Sequence, residues 1–230
     1  YDARDRFIAD PAYMTEPERM LSMDTAKALA ALIDPARALP PSLPGAEAVH
    51  KDTVYITVVD KDRMCVSMIY SIFHSFGSGL ASEKYGILFQ NRGAGFTLKK
   101  GHPNVAAPGK RPMHTIIPGM VRRNGRVEMP FGVMGGAYQP NGHARLLTNM
   151  EVFGMDAQSA IDAPRAFPED GTLRLETGYS QKVAQDLANR GHDLQWSDSP
   201  IGGAQAIRIR GDGVLEGASD PRKDGIALGY

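Results

Sequence analysis

The sequence predicts an α+β layered domain beginning near residue 53 of the 230-residue chain. Three observations carry this. The composition shifts abruptly from a proline-rich stretch to a nearly all-β-branched run at Thr53. Two hairpin signals follow, and the order strands, then helices, then strands again is that of segregated layers.

Taken in order, residues 1–52 read as helix and linker. Asp24 to Ile33 is rich in helix formers and stops before Pro35, with Thr15 or Asp24 available as caps. Residues 35–45 hold four prolines and a glycine, so they read as an exposed extended connector. Thr53 to Val59 and Met64 to Ser71 flank the Asp60-Lys61-Asp62-Arg63 turn as a hairpin. Neither strand alternates cleanly between polar and apolar, which predicts cover on both faces. Short strands are expected at Gly86 to Gln90 and Thr115 to Val121. Asn124-Gly125 turns the latter into a return strand, Val127 to Met134. Helices are expected at His143 to Phe153 (stopped by Gly154), Ala157 to Ala163 (stopped by Pro164) and from the Ser180 cap to Gly191. Ala206 to Arg210 and Val214 to Gly217 form a last hairpin.

Composition narrows the function classes. With 26 Lys and Arg against 26 Asp and Glu, there is no cationic excess to release counterions from nucleic acid or an anionic membrane, so neither is expected as a partner. No apolar run reaches the roughly 18–20 residues that span a bilayer. One cysteine, Cys65, excludes an internal disulfide and reads as a buried small hydrophobe within its strand, not a nucleophile. The six histidines (His50, His74, His102, His114, His143, His192) lack metal-ligand spacing, so no metal and no cofactor is expected. The chain starts at Tyr1 without an initiator Met and reads as cut from a longer precursor; a cytoplasmic location is expected, with the periplasm as alternative.

Three glycine-rich loops stand out: Phe76-Gly77-Ser78-Gly79, Asn91-Arg92-Gly93-Ala94-Gly95-Phe96 and Met134-Gly135-Gly136-Ala137. None has phosphate-loop or dinucleotide spacing, and a lone Gly-x-Gly more often marks a turn. A Gly-Gly pair at a strand end can also turn consecutive amides toward an anion, as an oxyanion hole requires. Thr53 on its own is a β-former opening a strand. If the Asp52–Thr53 bond were cut, its hydroxyl would sit beside a free α-amine with a reference pKa of about 7.7–8.0, a nucleophile and base in one residue.

Thr53-Val54-Tyr55-Ile56-Thr57-Val58-Val59-Asp60-Lys61-Asp62 resembles the start of the small subunit of the γ-glutamyltranspeptidases, self-cleaving N-terminal-nucleophile hydrolases. The likeness continues in order through Phe76-Gly77-Ser78-Gly79, Gly86-Ile87-Leu88, Lys110-Arg111-Pro112, Gly135-Gly136, Asp162-Ala163-Pro164-Arg165 and Gly217-Ala218-Ser219-Asp220-Pro221-Arg222. The resemblance implies the four-layer αββα sandwich of that class, with residues 1–52 as the large-subunit tail and linker and 53–230 as the small catalytic subunit. The rest of the large subunit would be its partner, and a dimer of processed heterodimers is the oligomer considered.

By the same resemblance, Thr53 is the nucleophile released by self-cleavage after Asp52. Gly135 and Gly136 hold the oxyanion, and Ser71 takes the place of a threonine that bonds the nucleophile's amine. The reaction implied is attack on an amide carbonyl, an acyl-threonine intermediate, and release to water or an acceptor amine. The substrate loop departs from the family pattern. An Asn-Gln-Met-Asp-Asp-Phe loop has become Asn91 to Phe96, with Gly95 in place of the acid that grips a γ-glutamyl ammonium. Arg92 offers a fork for a carboxylate, although a surface salt bridge is its bland alternative. A Ser-Ser pair has become His114-Thr115, and an asparagine Phe73. These changes resemble a subgroup that includes oxamate amidohydrolase and point to a small carboxylate-bearing amide. The alternatives are a true γ-glutamyltransferase or glutathione hydrolase, and an uncut non-catalytic scaffold.

Overall fold

A computed structural model describes residues 1–40 and 51–230; part of the 35–45 connector therefore lies outside the described residues. Short helices α1 (Asp2–Phe7), α2 (Pro17–Leu21) and α3 (Met23–Ala30) open the chain. The cap of α3 is Ser22, whose hydroxyl accepts from the Thr25 amide at 3.1 Å; the expected caps Thr15 and Asp24 are not used. Ser22 wins because it alone combines an extended backbone with a side-chain acceptor one residue before the helix.

Strands β1 (Lys51–Val59) and β2 (Cys65–His74) pair as the expected antiparallel hairpin. β3 (Pro118–Arg123) and β4 (Arg126–Met134) turn at Asn124-Gly125, both at positive φ as a tight hairpin requires. They join β8 (Gly203–Ile209) and β9 (Leu215–Ser219) in a four-stranded sheet ordered β3-β4-β8-β9. Helices α4 (Gln139–Glu151), α5 (Ala157–Asp162) and α6 (Gln181–Asn189, capped by Ser180) agree in place with the sequence reading. α4 starts four residues earlier than expected, because Pro140 is tolerated in a first turn. A third sheet was not foreseen: β5 (Ala166–Glu169), β6 (Thr172–Leu175) and β7 (Leu194–Trp196), with α6 as the crossover between the parallel pair β6 and β7. Strands of three or four residues are too short to show a period of two. Gly86 to Gln90 forms no strand, only an isolated bridge between Ala81 and Leu88.

The layers follow from β4. Its alternate residues Met129, Phe131 and Val133 enter the main core with Leu146 and Met150 of α4, Ala157, Ala160 and Ile161 of α5, and Ala204, Ala206 and Ala218 of β8 and β9. The opposite face, at Gly132, receives the Tyr55 ring of β1. β4 is therefore buried on both faces, which is why it reads as a continuous apolar run. Helix, four-stranded sheet and hairpin make three of the four layers of an αββα sandwich. The hairpin departs from expectation on one side. Tyr55 is 4% exposed on its inner face, while Val54, Ile56, Val58, Val66, Met68 and Tyr70 stand open on the outer one. Cys65 is half-buried at the start of β2 instead of mid-strand; burial pushes its thiol pKa up, which disfavours the thiolate.

Candidate active site

The site begins at an irregularity in the hairpin. Asp52 pairs with Phe73 but Thr53 pairs with Ser71, so Ile72 is an extra residue and the register shifts at the Asp52–Thr53 bond. The uncut strand runs straight through that bond. Phe73 takes φ +77°, a left-handed backbone that costs a non-glycine residue about 1–2 kcal/mol. In the bulge the Ser71 hydroxyl accepts from Thr53 Oγ1 at 3.1 Å and from the Phe73 amide at 3.0 Å. The resemblance set Ser71 against the nucleophile's amine; in the uncut chain it meets the Thr53 hydroxyl instead, in a direct hydroxyl–hydroxyl bond.

The substrate loop is stitched to the same bulge. The Asn91 amide donates to the Ile72 carbonyl (3.1 Å), and Asn91 Oδ1 accepts from the His74 amide (3.0 Å). Asn91 therefore holds the loop, its carboxamide oxygen already engaged. Arg92 opens a single 3-10 turn, Arg92–Gly95, and is 5% exposed. Its guanidinium lies 4.3 Å over the Phe73 ring, and Nη1 donates to Thr115 Oγ1 at 3.1 Å. Burial pulls its pKa down, and among the described residues no carboxylate lies within ion-pair reach of it. The surface-salt-bridge alternative is overturned. A buried cation without a counter-ion among the described residues, on an aromatic face and beside a hydroxyl, suits a ligand carboxylate.

Gly95 lies tight against residues 112–113: a Cβ there would sit 3.3 Å from the Met113 carbonyl and 4.0 Å from the tip of Phe73. His114 is not brought to this cluster. It is exposed, with Nδ1 donating to the Pro112 carbonyl at 2.8 Å, because alternate residues of an extended segment face opposite ways and Thr115 takes the inward place.

Beyond Gly132, which lies against Tyr55, β4 stops at Met134 and turns through Gly135 (φ +119°) and Gly136 (φ +55°). The latter opens a 3-10 turn that leads into α4. Two glycines are needed there. A Cβ on Gly135 would sit 2.8 Å from Gly202 Cα, and one on Gly202 (φ +65°) 2.6 Å from the Met134 carbonyl. Two left-handed turns thus lie back to back. The second is clamped by Arg165 and Asp220, which the sequence reading placed in family motifs without giving them a role, and by Glu176, which it did not single out. Arg165 Nη1 donates to the Ile201 carbonyl (2.7 Å), Glu176 Oε1 accepts from the Ile201 amide (2.9 Å), and Asp220 Oδ2 accepts from the Ala204 amide (2.7 Å). Arg165 and Asp220 form an ion pair almost wholly out of solvent, and Arg222 bridges Asp220 and Glu176. Burial alone would raise the Glu176 pKa. The Arg222 guanidinium and the two backbone donors outweigh it and hold the carboxyl below its usual range. The signal available in the sequence was the pair of charged motifs, Asp162–Arg165 and Asp220–Arg222; their meeting is a tertiary event.

Among the described residues, no three His, Cys, Asp or Glu side chains gather to hold a metal ion, and no helix is long and apolar enough to cross a membrane.

The family model described as gamma-glutamyltranspeptidase matches residues 1–230. The chain is 37% identical over 240 residues to the glutathione hydrolase-like YwrD proenzyme of Bacillus subtilis, covering 98% of this chain and 44% of that protein. It is also 37% identical over 238 residues to the oxamate amidohydrolase proenzyme of Klebsiella pneumoniae, covering 99% and 44%. Among solved structures it matches cephalosporin acylase from Bacillus halodurans with TM-score 0.87, 36% identity, and coverage of 98% of this chain and 42% of that one. A γ-glutamyltranspeptidase of Pseudomonas nitroreducens complexed with L-DON matches with TM-score 0.71 and 29% identity, covering 76% of this chain and 98% of that one. The chain thus spans under half the length of the curated proenzymes it matches. It belongs to the γ-glutamyltranspeptidase family.

Proposed function

We propose that this chain is the catalytic part of a self-cleaving amidohydrolase that acts through Thr53 on small amides bearing a carboxylate. The observation that carries the reading is the buried Arg92 guanidinium, without a counter-ion among the described residues, stacked on the same Phe73 bulge that presents the Thr53–Ser71 hydroxyl pair.

In the uncut chain Thr53 Oγ1 attacks the Asp52 carbonyl, and the C–N bond breaks, freeing the Thr53 amine with the hydroxyl proton; water then hydrolyses the resulting ester, releasing the Asp52 carboxylate and restoring the Thr53 hydroxyl. Two features support cleavage at this point: the register shift falls on the Asp52–Thr53 bond, and residues 53–230 are 178 of 230, or 77%, close to the 76% share matched by the Pseudomonas nitroreducens chain. In turnover the freed amine takes the hydroxyl proton as Oγ1 attacks the substrate carbonyl. The Gly135 and Gly136 amides hold the oxyanion, and collapse expels the amine with that proton. Water, deprotonated by the same α-amine, then releases the acid. The open outer face of the hairpin is the surface the remainder of the precursor would cover, completing the fourth layer.

Arg92 and the missing acid at Gly95 favour an oxamate-like substrate over a γ-glutamyl one. A γ-glutamyl ammonium would lie next to a buried cation with no carboxylate from the described residues paired to that cation. The test uses the full-length precursor: mass spectrometry for a fragment starting at Thr53, then turnover of oxamate against a γ-glutamyl anilide. An active enzyme with no such fragment overturns the mechanism. Robust γ-glutamyl turnover without oxamate turnover overturns the substrate class and leaves glutathione-type hydrolysis; a stable uncut protein without activity leaves the scaffold reading.

A further inference from the structure

We infer that Asn104 is a positioning residue for the carboxylate pocket: its buried carboxamide braces the Arg92–Gly95 turn against the segment that carries Thr115. The inference rests on the carboxylate reading of Arg92 for its kinetic consequence, though not for its structural one.

Asn104 is 5% exposed. Its Nδ2 donates to the Gly95 carbonyl at 2.7 Å, and its Oδ1 accepts from the Met113 amide at 3.0 Å. These partners leave no freedom to exchange the two ends, since a carbonyl only accepts and an amide N–H only donates. The carboxamide therefore spans from one loop to the other. Arg92 is the first residue of the turn that ends at Gly95, and Thr115 lies two residues beyond Met113. The Arg92 Nη1–Thr115 Oγ1 bond is held on both sides by one side chain. Gly95 needs this brace because its turn otherwise meets residues 112–113 only through ordinary packing, with no side chain of its own.

Asn104 is itself fixed. Its amide donates to His102 Nδ1 at 3.0 Å, and its carbonyl accepts from the Thr97 amide at 3.1 Å. Because His102 Nδ1 accepts, Nε2 must carry the proton; it donates to the Asp5 carbonyl at 2.7 Å. The amino-terminal segment makes a second contact nearby, the Asp10 carboxylate accepting from the Arg111 amide at 2.9 Å. The pocket is thus tied to residues 1–10 by two links, and any separation of residues 1–52 from the rest would leave both non-covalent.

Two substitutions in the full-length precursor test this. Asn104→Asp keeps the acceptor for Met113 and sets a carboxylate oxygen against the Gly95 carbonyl; Asn104→Leu removes both bonds and leaves two buried groups unpaired. The readouts are hydrogen exchange over residues 92–97 and 111–116, and kcat and KM for oxamate on the fraction cut at Thr53. The expected result is exchange at least about tenfold faster in both stretches with α4 and β4 unchanged, and KM raised about tenfold or more with kcat within about threefold. Unchanged exchange, or a fall in kcat with KM unchanged, overturns the inference. If Asn104→Leu fails to mature, Asn104→Asp alone decides. If the wild-type enzyme turns over no carboxylate-bearing amide, the substrate reading fails, and exchange alone judges the brace: faster exchange supports it, unchanged exchange overturns it.

Discussion

Replacing Gly132 by alanine probes how the second sheet sets the nucleophile. A Cβ at 132 would lie 2.8 Å from Tyr55 Cγ and closer still to one edge of the ring. Carbon–carbon contacts relax to about 3.5–4.0 Å, so ring or backbone must move by about 1 Å. The ring cannot swing aside easily. It is 4% exposed, and its hydroxyl is 2.7 Å from Ser67 Oγ on the paired strand, which itself bonds the Phe131 carbonyl at 3.3 Å. The displacement must therefore be taken up by β1, lifting it from β4. Overpacking of this kind costs about 1–3 kcal/mol. The functional loss is larger, because Thr53 is two residues from Tyr55 on the same strand face and a 1 Å misplacement of a reacting group costs on the order of 100-fold in rate. The assay follows appearance of the Thr53-terminated fragment and turnover of the matured fraction, with stability from a denaturant titration. Shrinking the intruding ring by Tyr55→Leu in the Gly132→Ala background should recover much of the stability. If Gly132→Ala matures and turns over at the wild-type rate with unchanged stability, the contact between hairpin and sheet does not position Thr53.

Three further predictions bear on the site. Ser71→Ala removes the acceptor shared by Thr53 Oγ1 and the Phe73 amide; maturation and kcat should fall at least tenfold, while Ser71→Thr keeps both, and equal rates for the two variants would count against the hydroxyl pair. Arg92→Lys keeps a charge but loses the flat fork over Phe73, so KM for oxamate should rise roughly 10- to 100-fold with little change in stability; an unchanged KM removes Arg92 from substrate binding. His143 packs on Phe131 (ring centroids 4.8 Å apart), and burial lowers its pKa, so the fold keeps the imidazole neutral where the unfolded chain takes up a proton. Stability should then decline as pH falls from about 6.5 through the lowered folded value, and His143→Phe should flatten that decline; an equal pH slope in both proteins refutes it.

Much of the fold was legible because its signals are local. The Thr53 hairpin, the Asn124-Gly125 turn, the Ser180 cap and the helix-stopping glycines each act within a few residues, so period and turn chemistry reveal them. The short strands β5 to β7 were not legible, since three or four residues carry no period and only pairing with one another makes them strands. The hairpin's apolar outer face was visible as sequence, but its exposure in this chain was not, because burial depends on what packs there.

The same divide runs through the site. The sequence by itself determined the candidate nucleophile, the hydroxyl at Ser71, the paired glycines and the altered loop, because these are choices of residue type. Tertiary structure decided what each one meets. It put Arg92 inside instead of in a surface pair, turned His114 outward and Thr115 inward, and set Gly202 behind Gly135. It also drew Arg165, Glu176, Asp220 and Arg222 from distant segments onto one loop. Residue type decides what chemistry a side chain can do, while long-range packing and hydrogen bonding decide its neighbours and its burial, and a short stretch of chain encodes neither.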